Sequence, residues 1–307
     1  MTVTDANGTA VHVRDLAKRY GEVRAVDGAS FEVRANEIYG IIGANGSGKT
    51  TTVECLQGLR TADSGNMEVL GLDPRTHGAA LRGRVGSQLQ SSALPERLKV
   101  WEALELFAAL SPKRRDWKEL LHEWGLEEKR NAAFSDLSGG QQQRLFIALA
   151  LVNDPELVFL DEMTTGLDPA ARRVAWELIK SVRARGATVV LVTHFMDEAE
   201  VLCDRIAVFQ RGKVLAEATP RGLVEQFAPG ATVRFSTEVA DLGFLDATKG
   251  LERWERDGQQ VTVYGSGPLL AHVAANLVAH DIAPLDLRAE LPTLDDVFVK
   301  LAGEQPE

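Results

Sequence analysis

Cysteine is nearly absent from this chain: among 307 residues only Cys55 and Cys203 carry a thiol. Two thiols so far apart make neither a disulfide framework nor a metal-ligand spacing, and a reducing cytoplasm is the simplest compartment. Long apolar runs are missing too. The longest clean one, Leu145 to Val152, has 8 residues, against the ~18 that a membrane span needs. Met1 to Val11 contains no basic stretch followed by an apolar one, so no signal peptide is expected there. Positive charge is also scarce. The net charge is −10, and from Glu225 onward 14 acidic residues face 6 basic ones, which leaves the first 224 residues near neutral at −2. Nucleic-acid binders present a basic face or stripe, so no nucleic-acid partner is expected.

What remains is an ordinary globular composition, 45% hydrophobic and 25% charged, and a length that suggests about two domains. The stretch that organises it is Gly43-Ala44-Asn45-Gly46-Ser47-Gly48-Lys49-Thr50. It fits the phosphate-cradling pattern G-x-x-x-x-G-K-[ST]. The apolar run Ile38 to Ile42 precedes it as a strand, and a helix is read from Thr50 to Leu59. Glycines let the backbone wrap a phosphate chain without side-chain clashes. The loop N–H groups and the helix N-terminus then face the anion. Asn45, Gly46, Ser47, Gly48, Lys49, Thr50 and Thr51 are therefore the expected phosphate-binding residues, with Lys49 reaching the β- and γ-phosphates and Thr50 holding magnesium.

Around this loop the pattern alternates strands and helices. Residues 11–15 and 30–34 read as short strands, with Tyr20 in the loop between them as either a packed aromatic or a surface for adenine. Asp63-Ser64-Gly65 reads as a turn, Met67 to Leu70 and Val85 to Gln90 as strands. Helical spacing begins near Leu98, breaks at Pro112 and resumes from Trp117 to Leu126, with Trp101, Trp117 and Trp124 expected in the core. Ser138-Gly139-Gly140 opens a helix over 141–153. Glu156 to Leu160 and Thr188 to Val192 read as buried strands, flanking a helix from Pro169 to Arg185 that Gly186 caps. A hairpin turns at Arg211-Gly212-Lys213. This is the order of a mostly parallel α/β sheet. Beyond a boundary at residues 227–230 the order changes to strand (232–236), helix (239–246), strands (251–256 and 260–264), helix (268–280), strand (282–288) and helix (293–302). That suggests a small ferredoxin-like domain used for interaction or dimerisation.

Several residues converge on one ATP site. Asp161 and Glu162 directly follow four apolar residues, so they do not belong to a solvated face, and a buried carboxylate pair requires something such as a cation. Asp161 suits Mg²⁺, and Glu162 suits a base that takes a proton from water. Gln90 and His194 follow strands, where they can reach magnesium or water and the γ-phosphate respectively. Leu137-Ser138-Gly139-Gly140-Gln141 makes a second glycine-rich helix start, with Ser138 as its N-cap but no lysine. One helix dipole contributes only ~0.3–1 kcal/mol to an anion. Alone it is a poor triphosphate site, and it is better understood as half of one.

Together GANGSGKT (43–50), LSGGQ (137–141), LVFLDE (157–162), Gly166-Leu167-Asp168 and His194 resemble the ATP-binding cassette of ABC transporters over residues 11–225. The resemblance implies a P-loop NTPase fold with a mixed sheet and a helical subdomain at about 91–137, followed by the ferredoxin-like α+β domain at 226–307. It implies ATP and Mg²⁺ as ligands, Tyr20 as the adenine-stacking ring and Gln90 as the Q-loop glutamine, with Gln88 as its rival. It also implies that Asp168 crosses a head-to-tail dimer interface, where the Ser138 helix start of one subunit covers the other's ATP. The second cassette would be another copy of this chain. Met163 and Thr165 stand where that family usually has proline and serine. Leu291 to Phe298 resembles the C-terminal extension of daunorubicin-resistance-type export ATPases, which implies separate ABC-2 type membrane subunits and a place at the cytoplasmic membrane face. The alternatives are a cassette ATPase acting on ribosomes or DNA, which usually carries tandem cassettes or basic linkers, and a nucleotide binder without turnover, which Glu162 opposes.

Overall fold

The computed structural model describes residues 8–88, 93–111, 113 and 115–303, and its contacts divide the chain into two compact units, Met1–Pro220 and Arg221–Glu307.

The first unit begins with β1 (Thr9–Tyr20) and β2 (Val23–Arg34), then β3 (Ile38–Gly43), α1 (Lys49–Leu56), β4 (Ser64–Val69), α2 (Pro74–Arg82) and β5 (Val85–Gln88). It continues through α3 (Val100–Ala109), α4 (Trp117–Glu123), α5 (Gly139–Ala150), β6 (Leu157–Asp161), α6 (Pro169–Ala184), β7 (Thr188–Thr193), α7 (Met196–Leu202), β8 (Arg205–Gln210) and β9 (Lys213–Ala218). Six strands form one sheet in the order β5-β6-β7-β3-β8-β9, parallel except for the last pair. Every residue of β3, β6 and β7 is buried, as expected of parallel strands covered on both faces. A second, antiparallel sheet runs β2-β1-β4. Val13, Leu16, Phe31 and Met67 of that sheet pack with Tyr39, Ile41, Phe159 and Phe209 of the larger one and with Val53 and Leu56 of α1. Phe31 stacks on Tyr39 at 5.7 Å between ring centroids and meets Phe209 edge-on at 5.9 Å.

Three expectations change here. The short strands at 11–15 and 30–34 are parts of two 12-residue strands, because cross-strand pairing continues through several register shifts to Tyr20 and Val23. Tyr20 thus ends a strand instead of lying in a loop. Asp63-Ser64-Gly65 is not a free turn, since Ser64 opens β4 and pairs with Ala17. Of the three tryptophans only Trp124 is fully buried; Trp101 and Trp117 are half-buried and lie against each other at 6.3 Å.

The second unit holds α8 (Pro220–Phe227), which begins at the boundary, then β10 (Ala231–Ser236), β11 (Leu251–Asp257), β12 (Gln260–Gly265), α9 (Leu269–Ala279), β13 (Arg288–Glu290) and α10 (Leu294–Gly303). Its antiparallel sheet has the order β11-β12-β10-β13, and its core gathers Val233, Phe235, Val261, Val263, Val273 and Leu277. The hairpin expected at Asp257-Gly258 is present, with Gly258 at φ 60°. The helix expected at 239–246 is instead a short 3₁₀ turn, Gly243–Ala247. Asp241 there accepts the Gly243 N–H, a side-chain bond that competes with helix propagation. The last strand is confined to Arg288–Glu290 where 282–288 was expected; Asp286 instead turns onto Ser236, accepting from its N–H at 2.8 Å and its hydroxyl at 2.7 Å.

Candidate nucleotide site

Because β3, β6 and β7 are parallel neighbours, the loops that follow them emerge at one edge of the sheet. The 43–50 loop, the Asp161-Glu162 pair and His194 therefore lie together, at the carboxyl ends where α/β sheets bind ligands. Gln90 follows β5 and lies outside the described residues; its rival Gln88 is buried at the end of that strand.

The loop admits no side chain at its key glycines. A Cβ on Gly43 would stand 2.3 Å from Phe209 O, and one on Gly48 only 2.2 Å from Ala25 O. Gly48 also has φ 102° as the N-cap of α1, a conformation that favours glycine. Ala44, Asn45 and Gly46 are exposed, Ser47 and Lys49 are buried, and Thr50 and Thr51 are half-buried. A brace unforeseen in the sequence supports this loop from the β8–β9 turn. Gly212 donates its N–H to Ser47 O at 2.9 Å and accepts from Asp27 N at 2.8 Å. Its signal is the Arg211-Gly212 pair, whose φ values of 48° and 79° suit a tight hairpin turn.

Lys49 Nζ donates to Gly43 O at 2.9 Å and to Ala44 O at 3.0 Å. Burial pushes its ammonium below the ordinary lysine range, while Glu162 and Asp161 oppose that shift. Burial likewise pushes Asp161 up to about 6; Thr50 and Lys49 favour its charged form, and Glu162 disfavours it. Asp161 Oδ1 is buried with no hydrogen-bond partner, and so is Ser47 Oγ. An orphaned carboxylate oxygen beside a threonine hydroxyl and a lysine fits a cation held between protein and phosphate. Among the described residues no group of three or more His, Cys, Asp or Glu could hold a metal ion. Magnesium commonly binds one or two carboxylates plus substrate phosphates.

Glu162 has a left-handed backbone, at φ 50°. Such strain in a non-glycine residue clusters at functional sites. Its N–H is held by Val192 O at 2.9 Å, and its carboxylate Oε1 lies 3.4 Å from His194 Nδ1. Tyr20 is 41% exposed, and Lys18 Nζ and Arg60 Cζ each lie 5.5 Å from its ring centroid.

The second glycine start is built differently. Ser138 caps α5: Gln141 N donates to Ser138 Oγ at 3.4 Å, and Ser138 N donates to Gln141 Oε1 at 2.9 Å. The Gln141 side chain is thus turned back onto its own helix. A Cβ on Gly139 would meet nothing within 4 Å. Asp168 caps α6, accepting from Ala170 N and Ala171 N at 2.9 Å each. Ser138, Gly139, Gly140, Gly166, Leu167 and Asp168 line one cavity of about 350 Å³, to which no residue of the 43–50 loop contributes.

These motifs have relatives. A family model described as ABC transporter matches residues 26–165. Nod factor export ATP-binding protein I from Ralstonia nicotianae is 36% identical over 301 residues, covering 95% of this chain and 94% of the relative. The chain belongs to the ABC transporter family, as an ATP-binding cassette. The protein of the same name from Rhizobium etli is 35% identical, covering 97% of this chain and 95% of the relative. Among solved structures, an ATP-binding subunit of an ABC transporter matches 71% of this chain and 93% of its own at a TM-score of 0.65 and 28% identity. The dimeric bacterial cassette MJ0796 matches 68% of this chain and 98% of its own at a TM-score of 0.61 and 28% identity. The cassette binds ATP with Mg²⁺ and hydrolyses it. Met163, the residue that replaces the usual proline, is buried, and Thr165 is exposed.

Proposed function

We propose that this cassette is the ATP-driven subunit of an ABC-2 type exporter, working on separate membrane subunits and carrying a drug, antibiotic or lipid-like substrate outward. The observation that carries this reading is the length of the match. Relatives named for Nod factor export align over 94–95% of their residues, so the C-terminal unit is included as well as the cassette. Among the described residues no helix is long and apolar enough to cross a membrane; the place proposed for the chain is peripheral, at the cytoplasmic face beside a membrane partner. The helical subdomain, with the half-buried Trp101 and the exposed Leu106 and Leu110 on or just past α3, offers the partner an apolar wall.

Within the site, Lys49 and the loop N–H groups bind the phosphates and Tyr20 stacks the adenine. Thr50 and Asp161, with Gln90, hold Mg²⁺, which neutralises charge on the phosphates when bound. Glu162 takes the proton from the attacking water, and His194, 3.4 Å from its carboxylate, donates to the γ-phosphate. Two copies close head to tail, each placing the N–H groups of its Ser138 helix start on the other's ATP, with Asp168 at the junction. Closure by ATP and reopening after hydrolysis move the membrane partner.

The test is purification of the tagged chain from its own membranes. A multi-span membrane protein is expected to co-purify and to change the ATPase rate. A monomer with no membrane partner would overturn the export reading. Glu162→Gln is expected to bind ATP but hydrolyse it ~10²–10⁴-fold more slowly; turnover near the wild-type rate would overturn the base assignment.

A further inference from the structure

His194 is exposed on the turn after β7, so burial does not hold its ring. Glu162 Oε1 stands 3.4 Å from its Nδ1, beyond the ~2.7–3.2 Å of a firm N–H···O bond. A flat neighbour comes from the next residue. The Phe195 and His194 ring centroids are 4.1 Å apart, with 38° between the planes. Arg172 of α6 lies over the same Phe195 ring, its Cζ 4.4 Å from the centroid, inside the ~6 Å at which a ring face attracts a cation. Arg172 also donates to Asp197 Oδ2 of α7 at 3.1 Å, and its backbone N–H donates to Asp168 O at 2.9 Å in the first turn of α6. One turn further along α6, Trp176 donates its indole N–H to the buried Glu198 of α7 at 3.0 Å, a second tie between the two helices.

Phe195 occupies a position that rarely suits it. It is the N-cap of α7, at φ −92° and ψ 114°, and its side chain makes no capping bond. Ser, Thr, Asp and Asn are preferred there because their oxygens accept from the first N–H groups of the helix. The chain forgoes that bond and places a ring against His194 and Arg172. The backbone under the ring is fastened to the end of a buried strand, since Phe195 N–H donates to Thr193 Oγ1 at 3.0 Å.

We infer that Phe195 and Arg172 are positioning residues: Phe195 orients the His194 imidazole, and Arg172 holds the Phe195 ring from the start of α6. The inference rests on the reading of His194 as the group that donates to the γ-phosphate. With Nδ1 towards Glu162, Nε2 is the nitrogen left for that donation. Its direction depends on the tilt of an exposed ring, and a flat neighbour on a fixed backbone limits that tilt. Because Arg172 stands one turn after Asp168, the same contacts connect the α6 cap to the His194 turn within one chain. Nucleotide binding at Lys49 and Tyr20 does not depend on them.

The experiment compares the full chain with Phe195→Ala, Phe195→Tyr, Arg172→Met, His194→Ala and Phe195→Ala/His194→Ala. It reads kcat and KM for Mg·ATP and the ATP dissociation constant. Misplacement of a catalytic group by ~1 Å can cost ~10²-fold, so Phe195→Ala is expected to lose roughly 10- to 100-fold in kcat, with KM and ATP affinity within about threefold. Phe195→Tyr keeps the ring and should stay near the wild-type rate. Arg172→Met keeps the stem without the guanidinium and should lose about three- to tenfold in kcat at constant KM. Phe195 acts through His194, so the double variant should be no slower than His194→Ala. Wild-type kcat in Phe195→Ala, a parallel loss of ATP affinity, a Phe195→Tyr as impaired as Phe195→Ala, or additive losses in the double variant would each overturn the role. Should Phe195→Ala fail to fold, unchanged kcat in Arg172→Met overturns it instead. Full turnover in His194→Ala sinks the reading of His194 as donor, whereas an inactive His194→Ala beside an unaffected Phe195→Ala sinks only the positioning.

Discussion

In the 43–50 loop Gly43 and Gly48 are enclosed by backbone, while at residues 139–140 the first glycine faces open space. A Cβ on Gly48 would meet Ala25 O at 2.2 Å, whereas one on Gly139 would meet nothing within 4 Å. Both loops open helices, and both aim N–H groups outward. Only the first adds a buried lysine and a buried aspartate with an orphaned oxygen. The second satisfies itself through the Ser138–Gln141 capping box and shares its cavity with Asp168, with no cation from the phosphate loop. On the proposed reading, the difference separates a site that is complete on the phosphate side from a surface that takes a phosphate carried by a second subunit.

That contrast can be broken most sharply at the glycines. Gly48→Ala is expected to abolish ATP binding, because the added methyl drives Ala25 or the loop out of place and φ 102° is unfavourable for alanine. Gly139→Ala should leave nucleotide binding by the monomer intact. Calorimetric titration with Mg·ATP reads both variants, and equal losses would erase the distinction.

The next effect concerns pH. Asp161 is raised from 3.8 to about 6 when the chain is free of nucleotide. A carboxyl whose pKa is raised by folding contributes stability that is complete below pH 3.8 and is lost as pH rises through about 6. At ~1.4 kcal/mol per pKa unit, its ionisation costs the fold up to ~3 kcal/mol. Melting temperatures of the nucleotide-free chain should therefore fall between pH 5 and pH 7 by a component that Asp161→Asn removes. Mg·ATP should restore stability in the wild type but much less in the variant. An identical pH profile for the two proteins would contradict the cation-site assignment.

The smallest effect is expected at Tyr20. Base stacking on an aromatic ring is worth ~1–3 kcal/mol, and a ring 41% exposed belongs at the low end. Tyr20→Ala should weaken ATP binding by about fivefold and leave Tyr20→Trp near wild type. A loss shared equally by ATP and inorganic triphosphate would show that the ring does not contact the base.

Much of this site was legible because its residues follow buried strands. Ile38 to Ile42, Leu157 to Leu160 and Val189 to Val192 are apolar runs that have to lie inside, so the polar residues after them have to meet at one edge. The Gly212 brace was not legible, because it depends on a backbone contact between a hairpin turn and a loop more than 160 residues away. Glu198 was hidden for a related reason: its buried carboxyl accepts the indole N–H of Trp176, 22 residues away. Helix α2 carried a local signal that went unread, Asp73 capping a helix with Pro74 at its first position. Helix α7 did not, since seven residues with an uncapped start give too little periodicity. In the C-terminal unit the hairpin at Asp257-Gly258 was marked by its turn residues, whereas the 239–246 stretch had helical composition and lost to the Asp241 side chain, which accepts the Gly243 N–H.

The central claim is that the 43–50 loop is half of a site whose other half is the Ser138 helix start of a second subunit. Analytical ultracentrifugation of Glu162→Gln and of Glu162→Gln/Ser138→Arg, each with Mg·ATP, tests it directly. The single variant is expected to sediment as an ATP-bound dimer, and the double variant as a monomer that still binds one ATP. A double variant that dimerises as well as the single one, or a single variant that stays monomeric with ATP bound, would contradict it.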